Sequence, residues 1–230
     1  MNEIISGSAY FGVFISLTAY YLGTLLKKRF RLAVFNPLLI SIVLVIAALK
    51  LFHIEYESYY ASAKYLGYLL TPATVCLAIP LYQQLHLLRS NLKAIVLGVL
   101  SGVLTSLGCV LAFALLFRLD HAQYVTLLPK SVTTAIGMPV AQQLGGYPAI
   151  ASAVIIITGV LGNMFAEGFL RLIGVKQSVA RGVAIGTSTH AIGTARAVEM
   201  GETEGAMSSL SIVVAGLMTV IAASVFAQFI

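Results

Sequence analysis

Residues 182–199, GVAIGTSTHAIGTARAVE, combine four hydroxyl side chains with a histidine and an arginine inside an otherwise apolar chain. On a helix, Thr187, His190 and Thr194 follow at i, i+3 and i+7 and share one polar face. The glycines of the segment leave a second face bare, where another backbone can approach closely. Polar groups at this density are tolerated at bilayer depth only where protein or water covers them. The segment therefore predicts the wall of a small polar site.

A second polar segment, residues 129–148, has the sequence PKSVTTAIGMPVAQQLGGYP. Lys130, Thr133 and Thr134 share a helical face, and Pro139 interrupts the helix because proline removes a backbone hydrogen bond. A pair of glycines at 145 and 146 marks a second interruption. We interpret the two polar segments as partners across one site.

Lys130 and Arg196 are the informative charges of these segments. A cation at membrane depth is costly unless it has a partner or water. Glu199 follows Arg196 by three residues and could pair with it on a helix, and Lys130 could extend its long side chain to the interface. The alternative is that one or both bind an anion, assisted by the free N–H groups of broken helix ends.

The hydroxyls and cations together predict binding of a small hydroxylated or keto monocarboxylate. His190 either couples proton movement to the substrate, since its side chain titrates near neutral pH, or is a buried neutral histidine with its ring nitrogens satisfied. The predicted substrate-binding residues are Lys130, Ser131, Thr133, Thr134, Ser188, Thr189, His190, Gly193, Thr194 and Arg196.

Catalytic and metal-binding motifs are missing from the sequence. There is no nucleophile elbow, and no carboxylate is placed to orient the histidine. There is also no HExxH, Walker or Cys/His metal spacing, and the two cysteines lie in apolar segments as small hydrophobic residues. We therefore predict that the chain is not an enzyme and that it has no cofactor and no metal site.

The composition predicts an all-α polytopic membrane protein. Of the 230 residues, 59% are hydrophobic and only 10% are charged, and the mean hydropathy is +0.96. No soluble domain needs that much apolar surface. The formal net charge of +6 lies mostly at the ends of apolar segments, which is typical of membrane anchoring and not of nucleic-acid binding.

The hydropathy pattern predicts six spans and two re-entrant hairpins. The spans cover residues 8–26, 37–52, 65–85, 94–117, 150–170 and 206–229, and the hairpins cover 123–146 and 182–199. His86, Arg89 and Lys93 are expected in a cytoplasmic turn, and both termini outside. Eight full spans are the alternative, but they would place Arg171, Lys176 and Arg181 outside.

Two hairpins that enter from opposite faces, each followed by one span, are typical of an inverted repeat. A further likeness joins residues 74–85, TVCLAIPLYQQL, to residues 133–144, TTAIGMPVAQQL, through duplication or by chance. Duplication would make the break at Thr71 and Pro72 a third wall of the site. We expect one transmembrane domain over 1–230, with four spans in 1–118 and both hairpins with two spans in 119–230.

Several motifs resemble the LrgB/CidB family of bacterial inner-membrane proteins over essentially the whole chain. They are PKSVTT at 129–134, GGYPA at 145–149, GVLG at 159–162, ARGVAIGTSTHAIGTAR at 180–196 and EGA at 204–206. The resemblance implies either a carrier of small carboxylates such as pyruvate, glycolate or glycerate, or a holin- or antiholin-like regulator of murein hydrolases and autolysis that acts with a small LrgA/CidA-type partner.

The residues themselves favour transport, because a holin-like assembler has no need for two cationic, hydroxyl-lined broken hairpins. A third possibility is a purely structural subunit, in which Lys130→Ala and Arg196→Ala would leave activity intact. At 230 residues the chain is small for a transporter. We therefore expect a homodimer in the bacterial plasma membrane, with or without an LrgA-like subunit.

Overall fold

The computed structural model describes residues 10–30, 35–69, 72, 75, 76, 78–83 and 85–230. The described chain is helical, as predicted, and forms two compact units, residues 1–76 and 77–230. The first unit contains α1 (Phe11–Phe30), α2 (Pro37–Leu51) and α3 (Tyr56–Gly67). The second contains α4 (Ala78–Gln83), α5 (Leu85–Phe117), α6 (His121–Leu127), α7 (Thr134–Gln143), α8 (Pro148–Leu172), α9 (Ser178–Met200) and α10 (Glu202–Phe226), followed by a 3-10 turn (Ala227–Phe229).

In the first unit, a glycine on α1 allows close packing against α3, and a side-chain cap fixes the start of α2. The backbone N–H of Gly12 donates to the Ser62 hydroxyl of α3 at 2.7 Å. A Cβ on Gly12 would lie 2.3 Å from the Tyr59 carbonyl oxygen, so only glycine allows this approach. α2 begins after Asn36, whose side chain accepts from two N–H groups of the first turn.

One prediction about the first 118 residues changes with the structure. The expected turn at His86, Arg89 and Lys93 is wrong, because α5 continues through all three for 33 residues, about 50 Å. α5 also belongs to the second compact unit. The predicted break at Thr71 and the likeness of 74–85 to 133–144 rest partly on residues outside the described ones.

Among the described residues, three helices are long and apolar enough to cross a membrane: Arg89–Phe117, Pro148–Leu172 and Glu202–Phe229. All three belong to the second unit. Among the shorter apolar helices, α2 has only 15 residues, fewer than the roughly 20 that a bilayer needs. The total of six spans therefore stays a prediction.

An apolar stripe on α5 forms the centre of the second unit. Ile95, Val99, Val103 and Leu107 recur at a spacing of four and are almost fully buried. They belong to one cluster with residues of α6 and α10. Burial of apolar surface stabilises a fold by roughly 25 cal/mol per Å². This cluster therefore holds α5 against α6 and α10.

Residues 121–147 form a first hairpin, made of α6 and α7. A capping box at Asp120 starts α6, and Pro129 lies just beyond its end. After a non-helical connection, α7 runs back, so that Nε2 of His121 lies 3.2 Å from the carbonyl oxygen of Leu144. Gly145 ends α7 in the left-handed conformation, with φ of 88°. The segment thus returns to where it begins, as predicted.

The second hairpin is α9 itself, bent at His190 into limbs 178–189 and 191–200. A Cβ on Gly182 would lie 2.6 Å from the Glu204 carbonyl oxygen, and one on Gly205 would lie 3.1 Å from the Cα of Val198. Both limbs therefore border the start of α10. In a straight helix, residues 182 and 198 would be about 24 Å apart.

The hairpins enter the second unit from opposite ends. The first hairpin opens beside the start of α8, because Thr126 accepts a hydrogen bond from the Tyr147 N–H. The second opens beside the end of α8, where Arg196 pairs with Glu167. Both tips reach the middle of α8, near Ile155. This arrangement agrees with the predicted opposed hairpins, while their placement in the membrane stays a prediction.

Candidate functional site

The tip of the first hairpin carries a lysine linked to two serines. Lys130 Nζ donates to the Ser131 hydroxyl at 3.1 Å, and that hydroxyl lies 3.1 Å from the Ser106 hydroxyl of α5. Ser131 is buried and Lys130 is half-buried. In the part of the chain that the structure describes, no carboxylate pairs with Lys130. The ammonium is therefore left with charge to offer a ligand.

The tip of the second hairpin is strained at His190. Its φ of 44° and ψ of −146° are unfavourable for any residue except glycine and cost on the order of 1–3 kcal/mol. The buried ring compensates, because Nε2 donates to the Ile155 carbonyl oxygen of α8 at 2.9 Å. A Cβ on Gly159 would lie only 2.7 Å from Cε1 of the His190 ring, so the ring fits because residue 159 is a glycine. His190 is thus a buried histidine with one ring nitrogen hydrogen-bonded.

The remaining hydroxyls of the second hairpin are only partly available. Thr189 and Thr194 are buried and donate to carbonyl oxygens of their own helix, and Thr194 also contacts Ser208 of α10 at 2.6 Å. Gly193 is buried against Thr189. Ser188, a predicted site residue, is exposed and donates to the Ala184 carbonyl oxygen. The helical turn directs Ser188 away from its neighbours in the site.

Thr187 is the residue that the predicted site set omitted. It is only 6% exposed, and its hydroxyl has no hydrogen-bond partner among the described residues. A buried hydroxyl without a partner costs about 1–3 kcal/mol, which a ligand could recover. The shared spacing with His190 and Thr194 was the signal that could have found it.

The two tips face the same surface of α5. A Cβ on Gly102 would lie 2.6 Å from Cγ2 of Thr187, so Thr187 packs against α5 at this glycine. Ser131 contacts Ser106, one turn further along α5. Four residues of a helix rise about 6 Å. The points at which Thr187 and Ser131 contact α5 are therefore about 6 Å apart along that helix, about the length of a small carboxylic acid.

Helix ends add positive potential at both tips. α7 begins at Thr134, after Thr133, whose hydroxyl makes no capping hydrogen bond. The returning limb of the second hairpin likewise begins just after His190. The first N–H groups of a helix are unpaired and favour anions. Lys130, Thr133 and Thr134 are thus brought together at one of these helix starts.

Arg196 is not at the tips, and its predicted place beside Lys130 is wrong. It pairs with Glu199 at 2.5 Å, the alternative partner considered above, and with Glu167 of α8. Glu167 lies twelve residues beyond Ile155, about 18 Å along α8. The connection that holds Lys130 packs near Ile155, since a Cβ on Gly137 would meet both Ile155 and the Pro129 carbonyl oxygen. Two strong carboxylate partners hold Arg196 at the hairpin mouth.

Glu167 and Glu204 also have defined partners. Glu167 accepts from Arg171 at 2.7 Å, and the i, i+4 spacing places the two on one face of α8. Glu204 is buried and lies 3.6 Å from Arg181. Tertiary packing of α9 on α10 covers this carboxylate.

A family model for the LrgB-like family matches residues 16–229. The chain belongs to the LrgB-like family. It is 38% identical over 222 residues to antiholin-like protein LrgB of Bacillus mycoides (strain KBAB4), with 96% of each chain covered. The same identity and coverage hold for antiholin-like protein LrgB of Bacillus cereus (strain B4264) and of Bacillus anthracis (strain CDC 684 / NRRL 3495). No solved structure matches the chain.

Membership in the LrgB-like family and the three apolar helices together show a multi-pass membrane protein with bacterial relatives. This confirms the resemblance to the LrgB/CidB family and the predicted membrane location. The relatives are named for an antiholin-like role and not for an enzyme. Their names favour the regulator interpretation over the carrier interpretation.

Proposed function

We propose that this LrgB-like protein carries small monocarboxylates across the bacterial plasma membrane, with the substrate bound between the two hairpin tips. The observation that carries the proposal is the pairing of Lys130 with Ser131 at one tip and the unpartnered Thr187 hydroxyl at the other, on one surface of α5. If the carboxylate of the substrate binds Lys130, the hydroxyl or keto oxygen of the same acid would point towards Thr187.

The opposed hairpins support this proposal. Broken helices that meet from opposite sides, with helix N-termini directed at an anionic substrate, are a recurrent architecture of secondary transporters. Alternating access would then move the hairpin-bearing helices as a body against the remaining spans. His190, held in a strained conformation at the bend, is placed to change when substrate binds. A homodimer, with or without an LrgA-like subunit, remains our expectation.

The names of the relatives support a second candidate, an antiholin-like regulator of murein hydrolase activity that acts with an LrgA/CidA-type partner. Such a protein would modulate lysis without needing charge at the hairpin tip. The two candidates therefore differ in what they require of Lys130. A carrier could still influence lysis indirectly, through the flux of its substrate.

Uptake of labelled pyruvate, glycolate and lactate into liposomes tests the carrier proposal, with and without a pH gradient. We expect saturable uptake that Lys130→Gln and Thr187→Val each reduce about tenfold, the effect of losing one hydrogen bond to a charged or buried group. Lys64→Gln is the matched control, since Lys64 is exposed on α3.

Absence of saturable uptake of all three acids, alone or with an LrgA-like partner, would refute the carrier. If autolysis of expressing cells is modulated equally by wild type and Lys130→Gln, the antiholin-like role gains support. If Lys130→Gln abolishes both uptake and the lysis effect, the lysis effect follows from transport.

A further inference from the structure

A cavity of about 470 Å³ opens at the mouth of the second hairpin. Its charged lining comes from the end of α8, the connection to α9 and both limbs of α9: Glu167, Arg171, Lys176, Arg181, Arg196 and Glu199. Glu167 is about 18 Å along α8 from the hairpin tips, by helical rise. The cavity is therefore separate from the site proposed for the transported acid.

The lining holds more positive than negative charge. Four cations face two carboxylates, and those carboxylates are already engaged, since Arg196 pairs with both and Glu167 also binds Arg171. Glu204 does not line the cavity but lies 3.6 Å from Arg181, which lowers the excess from two charges to one. With or without Glu204, the charges around the cavity sum to a positive value, which favours binding of an anion.

Two of the cations have donors left over. The Nε of Arg181 is buried and has no hydrogen-bond partner among the described residues. Such an atom is costly unless something accepts from it. Lys176, in the connection before α9, is exposed and has no ion pair in the described chain. Both residues line the same cavity.

We propose that this cavity binds a phosphate-bearing anion through Arg181 and Lys176. A phosphomonoester carries a charge of about −1.5 to −2 at neutral pH and three acceptor oxygens, which suit one guanidinium N–H and one ammonium. The volume exceeds what a phosphate alone needs and leaves room for an attached group. The phosphate could belong to a soluble metabolite or to a lipid headgroup.

Such an occupant would connect Lys176, in the segment after α8, to Arg181 on the entering limb of the second hairpin. Binding would therefore restrain the entering limb relative to the end of α8. The site gives the protein a control point that is independent of the tip residues.

Thermal unfolding of the full chain in phosphatidylcholine nanodiscs tests the site, with inorganic phosphate replacing chloride at constant ionic strength. We expect saturable stabilisation by phosphate, and an about tenfold higher Kd in Lys176→Gln and in Arg181→Lys. Arg181→Lys keeps a positive charge near Glu204 but replaces the guanidinium, including Nε, by a single ammonium, so we expect it to fold. Lys93→Gln, which removes an exposed lysine outside the cavity, should bind as wild type does.

A second arm identifies the source of the phosphate. Nanodiscs of equal parts phosphatidylcholine and phosphatidylglycerol are analysed by native mass spectrometry for lipid retained on the protein. Preferential retention of phosphatidylglycerol that both variants lose supports a lipid headgroup, and a phosphate effect without it supports a soluble ligand. No saturable phosphate effect together with equal retention of the two lipids overturns the proposal, as does wild-type binding by both variants.

Discussion

The two hairpins of the second unit have the same outline but are held in place by different interactions. At the mouth of the first hairpin the contacts are neutral side chain-to-backbone hydrogen bonds. The Tyr124 hydroxyl donates to the Phe226 carbonyl oxygen at 2.9 Å, and the Thr126 hydroxyl accepts from the Tyr147 N–H at 2.8 Å. The ring of His121 adds contacts to Leu144 and Ile230.

The second hairpin is held by bare backbone contacts along its limbs and by ion pairs at its mouth. Gly182 and Gly186 bring the entering limb against the backbone of α10. Arg196 bridges Glu167 and Glu199 at the open end. The mouth of the first hairpin therefore depends on individual polar side chains, whereas the second hairpin depends on the absence of side chains along its limbs and on charge.

The largest effect that this difference predicts is for Gly186→Ala. The new Cβ would lie 2.2 Å from the Ser208 carbonyl oxygen, and backbone cannot give way as a side chain end can. We expect a loss of about 3 kcal/mol or failure to fold, measured by thermal unfolding in detergent. In Gly137→Ala of the first hairpin, the closest contact of the new Cβ is the flexible Cδ1 of Ile155, and the nearest backbone atom, the Pro129 carbonyl oxygen, is 3.3 Å away, so this change should cost less.

Gly168→Ala is the control, because a Cβ added at residue 168 would have no atom within 4 Å beyond its own stretch of helix. It should leave stability unchanged or slightly raised, since alanine is the better helix former. Equal stability of Gly186→Ala and Gly168→Ala would show that the second hairpin is not packed through its glycines.

A smaller effect is expected from Glu167→Gln, which weakens the charge network at the mouth of the second hairpin. Arg196 keeps Glu199, so the expected loss is about 1–2 kcal/mol, and it should shrink as salt is added. Unfolding midpoints at low and high salt measure the loss of stability and its dependence on salt. Glu202→Gln, at an exposed position of the first turn of α10, serves as the control. A loss that is independent of salt would argue against an ionic attachment.

The smallest effect is expected from Thr126→Val at the mouth of the first hairpin. The change keeps the shape of the side chain but removes two hydrogen bonds, the one accepted from the Tyr147 N–H and the one donated to the Ala122 carbonyl oxygen. The Ala122 carbonyl lies inside α6, so the main loss is the bond to Tyr147, worth about 1 kcal/mol, and it should not depend on salt. If Thr126→Val showed the salt dependence expected of Glu167→Gln, the distinction between the hairpins would fail.

Several features followed from the sequence because they depend on local chemistry. Mean hydropathy and the long apolar runs indicated membrane helices, and glycine, proline and hydroxyl content indicated two broken segments. The pairing of Arg196 with Glu199 followed from helical spacing alone. The charge pattern further predicted that the hairpins would open at opposite ends.

The tertiary structure decided which charges meet. Arg196 and Lys130 resemble each other in sequence context, but α8 brings a second carboxylate, Glu167, to Arg196 and none to Lys130. Burial of Glu204 against Arg181 and of Thr187 against α5 likewise depends on which helices pack together. Spacing along one helix fixes a residue's own face, but its partners across the bundle are set only when the other helices are in place.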